Sequence, residues 1–404
     1  MEMNQWRKDF PILETKVYHK PLVYLDNAAT SQMPKQVIDR WIKHYTQEHA
    51  NVHRGIHYLS ECSTNAVEIA RKKAADFISA GDKASVIFTQ GTTDSIHLVS
   101  AGIAQSLKAG QAIISTTLEH HSNFVPWQQM CAHSGAKFLV CPNVDGELDL
   151  SVMEHMLREN CVRLVAVGQV SNLTGTVNPL KKIISMAHRY GAEVLVDGAQ
   201  GILHQGINVT EGDMDYYTFS GHKMLAQTGI GVLYGKIECL EKLPPIRFGG
   251  GMVDFVTEEE TTWEKLPFRL EAGTPNISGI ISLGAAIDYL MEHDIHAIRN
   301  YERELLAYAE EKLQMYNWLH ILGHPKDRSG VISFVADGAH PYDIAALLDK
   351  LGVAVRSGQH CALPGLQSFG LTGAVRISPA FYNTKEEIDY LCQSLEKIMS
   401  IMLP

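Results

Sequence analysis

The chain has 404 residues, 45% of them hydrophobic and 20% charged, with a formal net charge of −10; this is an ordinary globular composition, long enough for two domains. No sustained basic run marks a nucleic-acid surface, and no stretch reaches the roughly 18 continuous apolar residues of a membrane span. The N-terminal MEMNQWRKDFPILE has no apolar signal block, so the expectation is a cytoplasmic protein acting on a small molecule.

Taken in order, the chain alternates strand and helix. SVIFTQ (85–90) precedes the helical GTTDSIHLVSAGIA, and AIIST (112–116) is followed, after a polar stretch, by VPWQQMCAHSG. KFLVCP (137–142) and RLVAVGQV (163–170) continue the pattern. NPLKKIISMAHRYG (178–191) is the clearest helix. Asn178 is placed to cap it, Pro179 suits its first turn, and Gly191 suits its exit. Leu180, Ile183, Ile184 and Ala187 recur at helical spacing, which gives one buried stripe. EVLVD (193–197) reads as a buried strand. Repeated strand–helix–strand units predict a mostly parallel sheet covered by helices on both faces. After roughly residue 285 the pattern becomes α+β. Helical YERELLAYAEEKLQMY (301–316), strand GVISFVA (330–336) and helical HPYDIAALLDKLG (340–352) come first. VAVRS (353–357), AVRIS (374–378) and an amphipathic helix from near Thr384 follow. The expected fold class is α/β, with a smaller C-terminal domain.

The seven cysteines are odd in number and none forms C-x-x-C, so neither a disulfide framework nor a zinc knuckle is expected. Most lie in apolar segments as small core residues; Cys361, in the polar loop RSGQHCALPG, is the exception. The HH, HRGIH and QHC groupings are not zinc signatures and there is no H-E-x-x-H, so no metal is expected.

Ligands of open α/β sheets gather at the carboxyl ends of the strands. Gly91, Thr92 and Thr93 open a helix there, which suits an anion or a plain N-cap. Asp197 ends the strand VLVD; a buried carboxylate calls for a cation, for which a pyridinium nitrogen would serve, although an Asp capping a turn fits as well. His120 in EHHSN could stack on an aromatic cofactor and relay protons. His53, Arg54 and His57 cluster in HRGIH. Cys361 has His360 beside it and Arg356 upstream, and cations raise the thiolate fraction of a cysteine. Arg376 in AVRIS could present a planar fork to a carboxylate, or be a strand-face ion-pair residue. Lys223 in FSGHKMLAQTGIG lies in a tight small-residue turn between apolar strands, as a Schiff-base lysine must, though a loop lysine has the same look.

The chain resembles the cysteine desulfurases of the aminotransferase class V family, of the SufS/CsdA type. The resemblance runs from YLDNAAT (24–30) to YNTKEEIDYL (382–391) and includes NVHRGIHYLS, TQGTTDSIHLV, LEHHSNFVPWQ, VSNLTGTVNP, VLVDGAQ, FSGHKMLAQTGIGVLYG, EAGTPN and VRSGQHCALP. It implies the fold type I of enzymes dependent on pyridoxal phosphate (PLP), with residues 20–285 as the PLP-binding domain. Residues 1–19 and 286–404 would form the small domain that carries the cysteine loop. By resemblance Lys223 would hold PLP, and His120 would stack on its ring. Asp197 would pair with the ring nitrogen, while Gln200 and Asn172 would contact the ring oxygen or the substrate. Thr92, Thr93, Ser220 and His222 would hold the phosphate, with Thr274 reaching in from a partner subunit. Arg376, with His53 and Arg356, would bind the substrate, and Cys361 would accept sulfur as a persulfide. The implied reaction is conversion of L-cysteine to L-alanine by a homodimer that passes sulfur to a SufE- or SufU-type acceptor for iron–sulfur cluster or other thio-cofactor assembly. The alternative is a selenocysteine lyase acting on L-selenocysteine. Where SufS members commonly carry a threonine and histidine pair before the cysteine, this chain has SGQHC, closer to the CsdA form. The extra Gly365, Gly370 and Gly373 are expected to loosen that loop.

Overall fold

The computed structural model describes residues 4–402. Its centre is a seven-stranded sheet of β1 (Val86–Thr89), β2 (Gln111–Thr116), β3 (Lys137–Cys141), β4 (Cys161–Gly168), β5 (Glu193–Asp197), β6 (Tyr216–Ser220) and β7 (Gly231–Gly235). The strand order is β1-β7-β6-β5-β4-β2-β3, and the pairings of β2 to β6 are parallel. Only β7 runs against its neighbours, antiparallel to both β6 and β1.

The sheet is buried on both faces because alternate side chains feed two separate cores. Val165, Val167, Val194, Val196 and Phe219 point into one, with helices α1 (Tyr58–Phe77), α4 (Leu180–Arg189) and α5 (Ile277–Glu292). Leu164, Ala166, Leu195, Tyr216 and Leu233 point into the other, under α2 (Thr92–Ala104) and α3 (Val125–Ser134). Helix α4 buries the expected stripe of Leu180, Ile183, Ile184 and Ala187, and Gly191 leaves it at φ +78°. Asn178 does not cap it. Its Nδ2 donates instead to Gly168 O at the end of β4, and Pro179 occupies the cap position. The side chain serves the strand end rather than the helix.

The C-terminal part forms a second sheet of β8 (Leu319–Ile321), β9 (Ile332–Ala336), β10 (Arg356–Gly358) and β11 (Ala374–Ile377), in the order β8-β9-β11-β10. Helices α6 (Ile295–Gln314), α7 (Pro341–Lys350) and α9 (Lys385–Met402) pack on it through Leu305, Leu313, Ile344, Leu348, Leu391 and Leu395. The N-terminal segment joins both cores. Trp6, Phe10 and Leu13 pack in the larger, Val23 and Leu25 in the smaller. No helix among the described residues is long and apolar enough to cross a membrane.

Candidate active site

The carboxyl ends of β4, β5 and β6 open into a cavity of about 550 Å³. The far wall is the β10–β11 edge of the second sheet together with the loop that carries Cys361. Residues of both sheets therefore face one space.

Lys223 ends a one-turn 3-10 helix, Gly221–Lys223, between the fully buried strands β6 and β7. Burial lowers its amine from the ordinary lysine range to about 8; Asp197 opposes that shift and Arg376 adds to it. Such a lysine is a usable nucleophile near neutral pH. Asp197 ends β5 at only 7% exposure. Its Oδ1 accepts from Ala199 N–H at 2.9 Å, and among the described residues it has no ion-pair partner. Burial holds its pKa above the usual carboxylate value. A buried carboxylate without a cation is a costly arrangement, relieved when a cation arrives.

His120 precedes the short turn His121–Asn123. Ser122 N–H donates to its Nδ1 at 3.1 Å, which places the ring proton on Nε2. Burial, then the charge of Lys223, lowers its pKa to about 3, so the ring is neutral. Beside it, Glu119 is buried; burial raises its carboxyl to about 7 although Thr116 Oγ1 and Asn123 Nδ2 both donate to it at 2.7 Å.

One corner is built to hold an anion. Helix α2 begins at Thr92, and Thr92 N–H donates to Ser220 Oγ at 2.8 Å. The two hydroxyls of Thr92 and Ser220 lie 2.9 Å apart, and Thr93 Oγ1 is 2.7 Å from Ser122 Oγ. Hydroxyls gathered at the positive end of a 13-residue helix suit a phosphate. Gly91 takes φ +151°, and a Cβ on Gly231 would come within 2.7 Å of the Gly91 backbone. The two glycines let β7 and this turn touch. His222, whose carbonyl accepts from Ser31 N–H at 2.9 Å, closes the corner.

On the opposite wall Arg356 and Arg376 are direct cross-strand partners. Like charges in that position repel, and Asp26 holds them together. Its carboxylate accepts from Arg356 Nε and Nη2 at 3.1 and 2.8 Å and lies 3.6 Å from Arg376 Nη2. Two guanidiniums against one carboxylate leave one positive charge in excess, the complement of a substrate carboxylate. Arg376 is buried and also donates to Asn172 O at 2.9 Å.

Cys361 is exposed and free. Its loop is tied to the large sheet. Asn172 Nδ2 donates to His360 O at 2.6 Å, and His121 N–H donates to Cys361 O at 2.7 Å. Ala362 and Leu366 are buried with Leu173, at the start of the short helix α8 (Leu363–Ser368). The expectation that glycines loosen this loop is overturned at Gly365: a Cβ there would meet Thr117 O at 3.0 Å, so this glycine permits close packing.

The cavity thus gathers Lys223, His120, Asp197, Gln200, Asn172 and Cys361 with Thr92, Thr93, Ser220 and His222, and with Arg356 and Arg376 opposite. Gln200 is held by a 2.8 Å bond from its Nε2 to Ala28 O. Two expected residues are outside it in this chain. His53 is exposed, its backbone N–H bound to Thr64 Oγ1 and its ring edge-on to Phe268. Thr274 is exposed on the loop after Glu271, a residue that anchors that loop to the buried Arg71 at 2.6 and 2.9 Å. Glu119, His121 and Gln359 line the cavity, and Asp26 joins the site through Arg356 and Arg376; none of the four was singled out from the sequence. Asp26 was detectable as a carboxylate closing the apolar run in YLDNAAT, and Glu119 and His121 as neighbours of His120.

The sequence profile of the aminotransferase class-V family matches residues 23–391. The chain belongs to this family. Among its relatives is a cysteine desulfurase of Cronobacter sakazakii, 45% identical, with 99% of each chain covered. The crystal structure of Escherichia coli cysteine desulfurase CsdA, in an S-sulfonic acid form, superposes with a TM-score of 0.91 at 37% identity, covering 99% of this chain and 98% of that one. The apo cysteine desulfurase of Thermococcus onnurineus superposes at 0.94 and 36%, covering 99% of each. This is the fold type I of PLP-dependent enzymes, and the family cofactor fits the cavity. It has an aldehyde for Lys223, a ring nitrogen that can carry the cation Asp197 lacks, and a phosphate for the corner at α2.

Proposed function

We infer that this protein is a PLP-dependent cysteine desulfurase, which converts L-cysteine to L-alanine. The observation that carries the residue assignment is the single cavity in which a half-buried lysine of lowered pKa, an unpaired buried carboxylate and a cysteine on a pinned loop face one another. Bound PLP supplies an electron sink for the substrate carbon that loses its proton.

The protein's own groups do the rest in this reading. Lys223 would hold the cofactor and, with its amine free, would take the substrate Cα proton. His120, neutral and with its proton on Nε2, covers the ring and assists that transfer. Asp197 keeps the ring nitrogen protonated. Thr92, Thr93, Ser220 and His222 hold the phosphate. Gln200 and Asn172, whose Oδ1 is buried without a partner, orient the ring oxygen or substrate. Arg376 binds the substrate carboxylate, with Arg356 and Asp26 setting the local charge. Cys361 attacks the substrate sulfur. In balance, the C–S bond of cysteine breaks and an S–S bond forms, so that L-cysteine and the Cys361 thiol become L-alanine and the Cys361 persulfide. The persulfide then passes to an acceptor of the SufE or SufU type, for iron–sulfur cluster or other thio-cofactor assembly in the cytoplasm. A homodimer would bring Thr274 of one copy to the phosphate corner of the other.

The names of the relatives favour desulfuration over selenocysteine cleavage. The decisive assay measures alanine from L-cysteine and from L-selenocysteine with wild type and Cys361→Ala, with and without a reductant. Loss of alanine from cysteine in the variant, with selenocysteine cleavage kept, is expected. A wild type that yields alanine only from selenocysteine refutes the sulfur-transfer assignment.

A further inference from the structure

The Cys361 turn is an unusual piece of backbone. His360 and Cys361 are consecutive non-glycine residues, both at φ +52°, in the left-handed region. A side chain there costs energy, and such conformations persist only where the surroundings hold them. Four hydrogen bonds do so. Asn172 Nδ2 reaches His360 O, and His360 Nε2 is 2.9 Å from Ala374 O on β11. The other two come from one residue. The backbone N–H of His121 donates to Cys361 O at 2.7 Å, and the His121 ring Nε2 accepts from Leu363 N–H at 3.1 Å. His121 therefore grips the loop on both sides of the cysteine. Leu363 N–H is one of the open donors at the start of α8, and the His121 ring satisfies it.

We propose that His121 is a positioning residue that sets where the Cys361 sulfur stands relative to the cofactor cavity. His120 and His121 both line that cavity, so a single dipeptide in the loop after β2 links the cavity wall to the nucleophile's loop. The ring nitrogen that faces the loop is occupied as an acceptor, which makes His121 a holder rather than a proton carrier. The link crosses between the two sheets: His121 follows a strand of the large one, and Cys361 precedes a strand of the small one. A cysteine held in this way presents its sulfur without a swing of the loop, and an error of an ångström in that placement is felt in the transfer step rather than in substrate binding.

The inference rests on the desulfurase reading only for its kinetic arm, and the test separates the two. His121→Ala and His121→Gln are compared with wild type by amide hydrogen exchange at residues 361–367, by cofactor absorbance, and by alanine formation from L-cysteine. In His121→Ala, exchange at Leu363 is expected to rise about tenfold or more as the local clamp opens. Its kcat is expected to fall about 10- to 100-fold with KM little changed and cofactor absorbance intact. His121→Gln, whose carbonyl can accept from Leu363 N–H, should recover part of both losses. Unchanged exchange in His121→Ala overturns the clamp. Lost cofactor absorbance overturns it too, since His121 would then serve the cofactor pocket. Changed exchange with unchanged kcat overturns the positioning role. Alanine absent in the wild type, with the exchange result as expected, condemns the activity assignment and leaves the clamp standing.

Discussion

At the scale of single residues, the site works by withholding water from charges. Lys223 is the clearest case, because its amine must lose a proton before it can attack an aldehyde. Burial brings that loss down to about pH 8, whereas an exposed lysine would stay protonated to above 10. The rate at which cofactor-free protein captures PLP, followed by absorbance, should therefore rise through a midpoint near pH 8. A midpoint above 10 would show that Lys223 is solvated and the assignment wrong. The same withholding acts in the other direction on the acids. Glu119 and Asp197 are both pushed up by burial, and the Asp197 charge adds to the rise at Glu119. A cation bound at Asp197 relieves one of the two, which is why this pair suits a cofactor with a protonated ring nitrogen.

Elements supply the geometry that side chains alone cannot. The parallel strands end at one edge of the sheet, where β5 and β6 finish on Asp197 and Ser220, both facing the same space. The antiparallel β7 has a different task, since Gly231 brings it into contact with the Gly91 turn at the start of α2. A methyl group at residue 231 would meet backbone, which cannot rotate away. Gly231→Ala is accordingly expected to destabilise the protein by about 1–3 kcal/mol in urea unfolding, and to weaken cofactor retention on dialysis as Thr92 and Ser220 part. Normal retention in a destabilised variant would mean that the corner does not hold the phosphate. The legibility of the elements follows from the same physics. Helix α4 was readable because its apolar stripe answers to one neighbour at a fixed period. The role of Asn178 was not, because the choice between capping a helix and bonding Gly168 O depends on where β4 ends in space.

The whole molecule has surfaces that its own fold leaves open. Ile56 is 97% exposed, Phe248 68% and Ile69 55%, and Phe255, Val256 and Trp263 are exposed along one hairpin. Phe248 and Trp263 lie together, ring centroids 5.5 Å apart, as contiguous exposed apolar groups do at an interaction surface, and Thr274 stands exposed on the loop braced by Arg71 and Glu271. We therefore expect sedimentation equilibrium to give twice the chain mass. Thr274→Ala should also weaken cofactor retention without dissociating the dimer. A monomer that keeps its cofactor fully would rule out a shared site.

Residue type and local spacing determined part of this on their own: the alternating α/β pattern and a carboxylate ending a buried strand, with Lys223 in a small-residue turn that suits either a cofactor lysine or a loop lysine. Each of these signals lies within a few consecutive residues, where the chain's own periodicity and turn chemistry decide the outcome. What only the tertiary structure decided is how distant segments share charge and hydrogen bonds. Asp26 reconciles Arg356 with Arg376 across 330 and 350 residues of chain. His121 fixes the Cys361 turn from the end of another sheet, and Gly365 packs tight where composition alone suggested slack. A buried polar group must find its partner wherever the fold brings one within about 3 Å, and that proximity has no local signature in the chain.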